Sequence, residues 1–217
     1  MTIPAHWRAA HCAAALALVA ACLPFGNAGA ENPPSLATRA ARFPAVRTAT
    51  AAFSQEREVS LVDEVLRARG TIALAAPASF RLDVTAPEPM TLVTAGATTT
   101  VVDAAGKATA IPAEFAGLAA FARTLTDLLL GNRAPGGFRE EWRDSDTVVL
   151  TPTSADAGPF SEITLAFPAN APLPHTITLR ERGGDRTTIR LVDPALNQPL
   201  DPARFQPPAP RGNESTP

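Results

Sequence analysis

Two periodicities alternate along this chain. From Leu66 to Ala75 and from Phe80 to Val84 the repeat is two residues. In the second run Phe80, Leu82 and Val84 share one face while Arg81 and Asp83 take the other. Short runs follow at Met90 to Thr94, Thr98 to Asp103, Phe138 to Arg143, Thr147 to Thr151, Glu162 to Phe167, Thr176 to Arg180 and Thr187 to Val192. Between runs stand Ala95-Gly96, Ala105-Gly106, Gly158-Pro159 and Gly183-Gly184-Asp185, residues that supply positive or fixed φ where the chain must reverse. The pattern predicts an antiparallel meander with one dry face and one wet face.

Twice the period lengthens to that of a helix. Ser35 can cap a stretch from Leu36 through Arg42, and after Pro44 the residues Val46, Ala49, Ala52 and Phe53 resume helical spacing. Between Glu114 and Leu130, Phe115, Leu118, Phe121, Leu125 and Leu128 recur every three or four positions, and Gly131-Asn132 provides the stop. Two such helices cover a sheet of about ten strands only in part. The sheet then either packs a filled core or curls around a hollow lined by apolar side chains.

The first residues follow neither pattern. Arg8, with His6 and His11, precedes an apolar run from Cys12 to Phe25, and Ala28-Gly29-Ala30 ends in small residues. This predicts a secretory signal, residues 1–30, cut after Ala30. The run is shorter than the roughly 20 residues a bilayer requires and is broken by Pro24, which argues against a membrane anchor. Val19-Ala20-Ala21-Cys22 resembles a lipobox, and cleavage there would leave a chain lipid-anchored through Cys22. The proline-rich residues 207–217 predict a disordered tail.

Composition narrows the chemistry further. The net charge of −2 offers no basic field for nucleic acid. Cleavage after Ala30 removes both cysteines and leaves His175 as the last histidine, so the exported chain has no disulfide, no thiol nucleophile and no histidine-rich metal site. His175 follows Pro174 at a strand start and reads as structural rather than as a triad base. Glu140-Glu141 point to opposite strand faces, and the Asp144 to Asp146 turn lacks a calcium-loop pattern. No catalytic residue, metal or cofactor is predicted. Arg180, Arg182, Arg186 and Arg190 flank one hairpin and read as a solvated face or a docking patch.

Several short motifs occur in a telling order. Phe53-Ser54-Gln55, Gly70 opening a strand, Pro77-Ala78-Ser79-Phe80, Leu92-Val93-Thr94-Ala95-Gly96, Leu128-Leu129-Leu130-Gly131-Asn132, Val149-Leu150-Thr151-Pro152 and a closing Phe205 span roughly residues 35 to 206. Together they resemble the LolA-like family of periplasmic outer-membrane lipoprotein carriers.

The resemblance implies an α+β, mostly β, domain over residues 31–206. A single antiparallel sheet of about eleven strands would curl into an unclosed half-barrel under an N-terminal helix and a mid-chain lid helix. It implies a monomeric periplasmic carrier that shields the acyl chains of a lipoprotein or other lipid between inner and outer membranes, with donor and acceptor proteins as partners. Matching positions make Phe80, Leu82, Val84 and Leu92 the cavity wall and Phe115, Leu118, Phe121 and Leu125 the lid face. The chain departs from the family where a latch arginine is replaced by Ala76, an aromatic by Leu82 and a hairpin aspartate by Ala95. The alternative is a half-barrel that binds protein or senses lipid without transporting it.

Overall fold

Period-two alternation builds one antiparallel sheet. In this computed structural model residues 35–62, 64–95, 98–110, 126, 128, 130, 137–154 and 159–207 are described. The chain divides into two units, Met1–Asn32 and Pro33–Pro217, and all the described residues lie in the second. The strands are β1 (Thr48–Val59), β2 (Glu64–Ala75), β3 (Ser79–Ala86), β4 (Met90–Ala95), β5 (Thr98–Val102) and β6 (Ala108–Ala110), then β7 (Phe138–Trp142), β8 (Thr147–Pro152), β9 (Phe160–Ala166), β10 (Thr176–Glu181) and β11 (Arg186–Leu196). Their order is β6-β5-β4-β3-β2-β1-β11-β10-β9-β8-β7, with β6 and β7 as edges, so the sheet is unclosed.

The N-terminal helix is shorter than the sequence predicts. Helix α1 covers only Leu36–Ala40, capped by Ser35 in a reciprocal box with Thr38. The expected continuation from Pro44 to Phe53 is instead the start of β1, which pairs with β2 on one side and β11 on the other. Ala49, Ala52 and Phe53 suit helical spacing, but Ala49, Ala51 and Phe53 suit a strand equally well and are the buried set. Ladder hydrogen bonds on both edges decide between them. Of the predicted mid-chain helix, Thr126, Leu128 and Leu130 are described and are helical, and Leu128 is buried.

Cross-strand rows explain the core. Val101, Leu92, Leu82, Ile72 and Ala51 stand side by side from β5 to β1, and a second row, Ile189, Ile177, Leu165 and Val148, runs from β11 to β8, meeting β1 at Gln55. The apolar residues of both rows belong to one buried cluster on the inner face. On the outer face a short 3-10 turn, Pro202–Phe205, packs on β3 and β4, and its Phe205 is buried. Arg81 faces outward there, donating to Asp83 at 2.7 Å and to the Arg204 carbonyl at 2.9 Å.

At Gly70 the β3 backbone leaves no room for a side chain on β2. A Cβ built there would lie 1.8 Å from the Asp83 carbonyl oxygen. The register shifts beside it, Arg69 facing Ala86 while Gly70 faces Val84, so Thr85 is the extra residue of a bulge. We expect Gly70→Ala to lower unfolding free energy by about 2–3 kcal/mol in urea titrations, since the clash is with backbone and not with a movable side chain.

Asp83 supplies a pH dependence. Burial would raise its carboxyl, but hydrogen bonds from Arg81 and Thr91 outweigh that and hold it below the ordinary range. Its contribution is therefore complete above about pH 4 and lost as pH falls through the lowered value. Thermal melts should show a fall in stability on acidification below about pH 4, and Asp83→Asn should flatten that fall.

Candidate functional site

The apolar inner face carries the expected wall residues. Phe80, Leu82 and Val84 follow one another along it on β3, and Leu92 of β4 sits directly opposite Leu82. Phe80 and Leu92 are fully buried, Leu82 nearly so, and Val84 is half-buried against the same cluster. The four expected wall residues are thus brought together. The expected lid residues Phe115, Leu118, Phe121 and Leu125 lie outside the described residues.

Polar groups interrupt the face at few points. Thr94, buried beside Phe80, shares a hydroxyl hydrogen bond of 3.0 Å with Thr99. Towards the β1–β2 hairpin the apolar rows give way to Gln55 and Arg57, and Leu66 opposite Arg57 is exposed. That end is fastened. Ser60 donates its backbone N–H to Asp185 at 3.0 Å and its hydroxyl to the Gly183 carbonyl at 3.1 Å, while Arg57 reaches Asp185 at 2.9 Å. The Arg57 hydrogen bond, chiefly, holds the Asp185 carboxyl below its usual range. Two hairpin tips are clipped together, and beyond the clip Leu61 stands 91% exposed.

One buried charge escaped the sequence reading. Arg39 of α1 is only 6% exposed; it donates to the carbonyls of Pro168 and Ala171 at 2.6 and 3.2 Å and meets Asp146 at 3.3 Å. Its guanidinium lies 4.5 Å from the centroid of the Phe167 ring, a cation–π contact, and its Nε has no hydrogen-bond partner among the described residues. Beside it a space of about 10 Å³ lies between Leu36, Leu128, Leu165, Phe167 and Pro172, room for about one water. The signal for Arg39 was its spacing: it stands three residues after Leu36, on the same helix face.

The acids and the histidine weighed in the sequence have structural positions. Glu140 accepts the Leu36 N–H at 2.8 Å, capping α1 across the fold. Asp144 accepts the Asp146 N–H at 2.8 Å, the main cause of its lowered carboxyl. His175 is exposed at the entrance to β10. Among the described residues no group of three or more His, Cys, Asp or Glu could hold a metal, and no helix is long and apolar enough to cross a membrane.

An open antiparallel sheet with one apolar inner face under short helical cover defines a half-barrel of the lipoprotein-carrier type. The chain belongs to the family of outer membrane lipoprotein carrier protein LolA, whose model matches residues 45–208. Among curated proteins none matches. Solved structures with a similar fold include a LolA superfamily protein from Nitrosomonas europaea, 12% identical, covering 79% of this chain and 96% of that one with a TM-score of 0.46. A putative outer membrane lipoprotein-sorting protein domain from Vibrio parahaemolyticus is 9% identical, with coverages of 79% and 95% and a TM-score of 0.44. MucB in the MucA/MucB complex of Pseudomonas aeruginosa is 12% identical over 79% of this chain and 58% of that chain, with a TM-score of 0.43.

Arg39 fixes α1 to the strand ends beneath it. Replacing it by Met should cost about 2–4 kcal/mol in denaturant titrations, because two carbonyls lose a charged donor while Asp146 turns to solvent. Local hydrogen exchange in residues 36–40 should rise first.

Proposed function

We propose that the protein is a periplasmic carrier, exported by the signal in residues 1–30, that holds the acyl chains of a lipoprotein or other lipid against the inner face of its half-barrel. The observation that supports this reading is the unbroken apolar row from Val101 through Leu92, Leu82 and Ile72 to Ala51, in a chain of the lipoprotein-carrier family. Each methylene kept from water contributes about 0.8 kcal/mol, so a carrier needs apolar area and a displaceable cover more than it needs reactive groups. In this reading Phe80, Leu82, Val84 and Leu92 form the wall, and Phe115, Leu118, Phe121 and Leu125 supply the cover. The protein works as a monomer between a membrane donor and a membrane acceptor, without catalysis or cofactor.

A second reading keeps the half-barrel but fills it permanently, leaving recognition of a protein as its task. Among the described residues, the space between α1, Leu128 and Leu165 has room for about one water, which favours this reading.

Native mass spectrometry with lipid extraction, on protein purified from a cell envelope without detergent, separates the two. The carrier reading expects a discrete added mass that proves to be an acyl-bearing molecule, and uptake of a fluorescent fatty acid. Leu82→Arg should then abolish uptake and lower the melting transition without unfolding the chain, because under a displaceable cover the long side chain can carry its charge out to water. A clean apo mass, no uptake by the parent chain, and unfolding of Leu82→Arg would sink the carrier and establish a filled core.

A further inference from the structure

The outer face of the sheet is strongly patterned in charge. In three adjacent cross-strand rows, Arg67 lies beside Glu56, Arg69 beside Ser54 and Arg190, and Glu58 beside Arg186, with Arg180 and Glu162 beyond. These rows set Arg67, Arg69, Arg180, Arg186 and Arg190 against Glu56, Glu58 and Glu162. A chain whose net charge is −2 has concentrated cations here.

Within these rows lies a groove of about 340 Å³, lined by Ser54, Glu56, Arg67, Arg69, Pro87 and Arg190. It sits beside the Thr85 bulge, where strand regularity is already broken. Glu56 is its single carboxylate, shared between Arg67 at 3.3 Å and Arg190 at 3.5 Å. Arg69 makes no side-chain hydrogen bond or ion pair among the described residues and is exposed. Elsewhere on this face Arg186 is paired with Glu58, and Arg180 meets Glu162 at 3.6 Å. The groove is therefore where positive charge is left unmatched.

We propose that this groove docks an acidic segment of a protein partner, its carboxylates received by Arg69, Arg67 and Arg190. Guanidinium forks match carboxylates in two-point geometry. Val65 and Val192 are exposed on the same face, at the two ends of the arginine rows. Arginine is among the residues enriched at protein interfaces, and the two valines add apolar surface at the margins. The interspersed glutamates would repel a uniformly anionic lipid surface, whereas a peptide can set its carboxylates between them. The groove lies on the face opposite the apolar one, so a partner bound there leaves the inner face free.

A fluorescent decapeptide alternating Glu and Val tests this by anisotropy against the full exported chain, with a Gln-Val decapeptide as control. The expected result is saturable binding to the Glu peptide alone, weakened about tenfold between low and physiological salt. Arg69→Ala and the double change Arg67→Ala with Arg190→Ala should each weaken it by about fivefold or more, and Arg139→Ala, on the edge strand, should leave it unchanged. Circular dichroism melts establish that the exposed substitutions keep the fold. Equal binding of the Gln peptide, indifference to the groove substitutions, or binding of phosphatidylglycerol vesicles in place of the peptide overturns the proposal.

Discussion

A sheet of eleven strands has two faces, and the described helical cover is one turn and a little more at α1 with a few residues around Leu128. Backbone alternation turns that shortage into an order: the apolar residues go to one face, where Leu36 and Leu128 join their cluster, and the other face is left to charge. Everything else follows from where that division falls. Arg39 is tolerated in the interior because it ties α1 to the strand ends through carbonyls and Asp146. Phe205 is needed on the outer face because Ala73, Val93 and Val102 make a small dry patch there. Arg81, which a longer apolar patch would exclude, is satisfied by Asp83 and by the Arg204 carbonyl at its margin.

The meander was legible because strands β2 to β5 and β7 to β11 carry alternation strong enough to be seen within each segment. β1 was not, and alanine is the reason. Ala49, Ala51 and Ala52 are small enough to satisfy either period, so the choice was made by partners far away in sequence, Leu74 and Leu196 among them. β6 failed differently: three residues, Ala-Thr-Ala, hold no pattern of their own and exist by pairing with β5. At the candidate site the wall residues were readable because parity alone puts Phe80, Leu82 and Val84 together. Arg39 was not, because the groups that make its burial tolerable lie more than a hundred residues away.

Arginine has three different jobs in this fold, and burial separates them. In the interior Arg39 acts as a tie, with its charge spread over carbonyls and a ring face. At the clipped hairpins Arg57 is half-exposed and joins Asp185 to Glu181. On the outer rows Arg67, Arg69 and Arg190 are largely open to water, where an ion pair adds little to stability. Their value there is in recognition.

The seam between β1 and β11 joins residues such as Phe53 and Leu191 that are far apart along the chain, and Asn197 closes it by donating to the Thr48 carbonyl at 2.9 Å. The central strand therefore has one edge unfilled until Arg186–Leu196 have been made. Loop closure over that separation makes collapse slow compared with a locally wired domain. The last of the eleven strands along the chain is thus the one that completes the spine: until β11 arrives, the two wings of the sheet have nothing to join them.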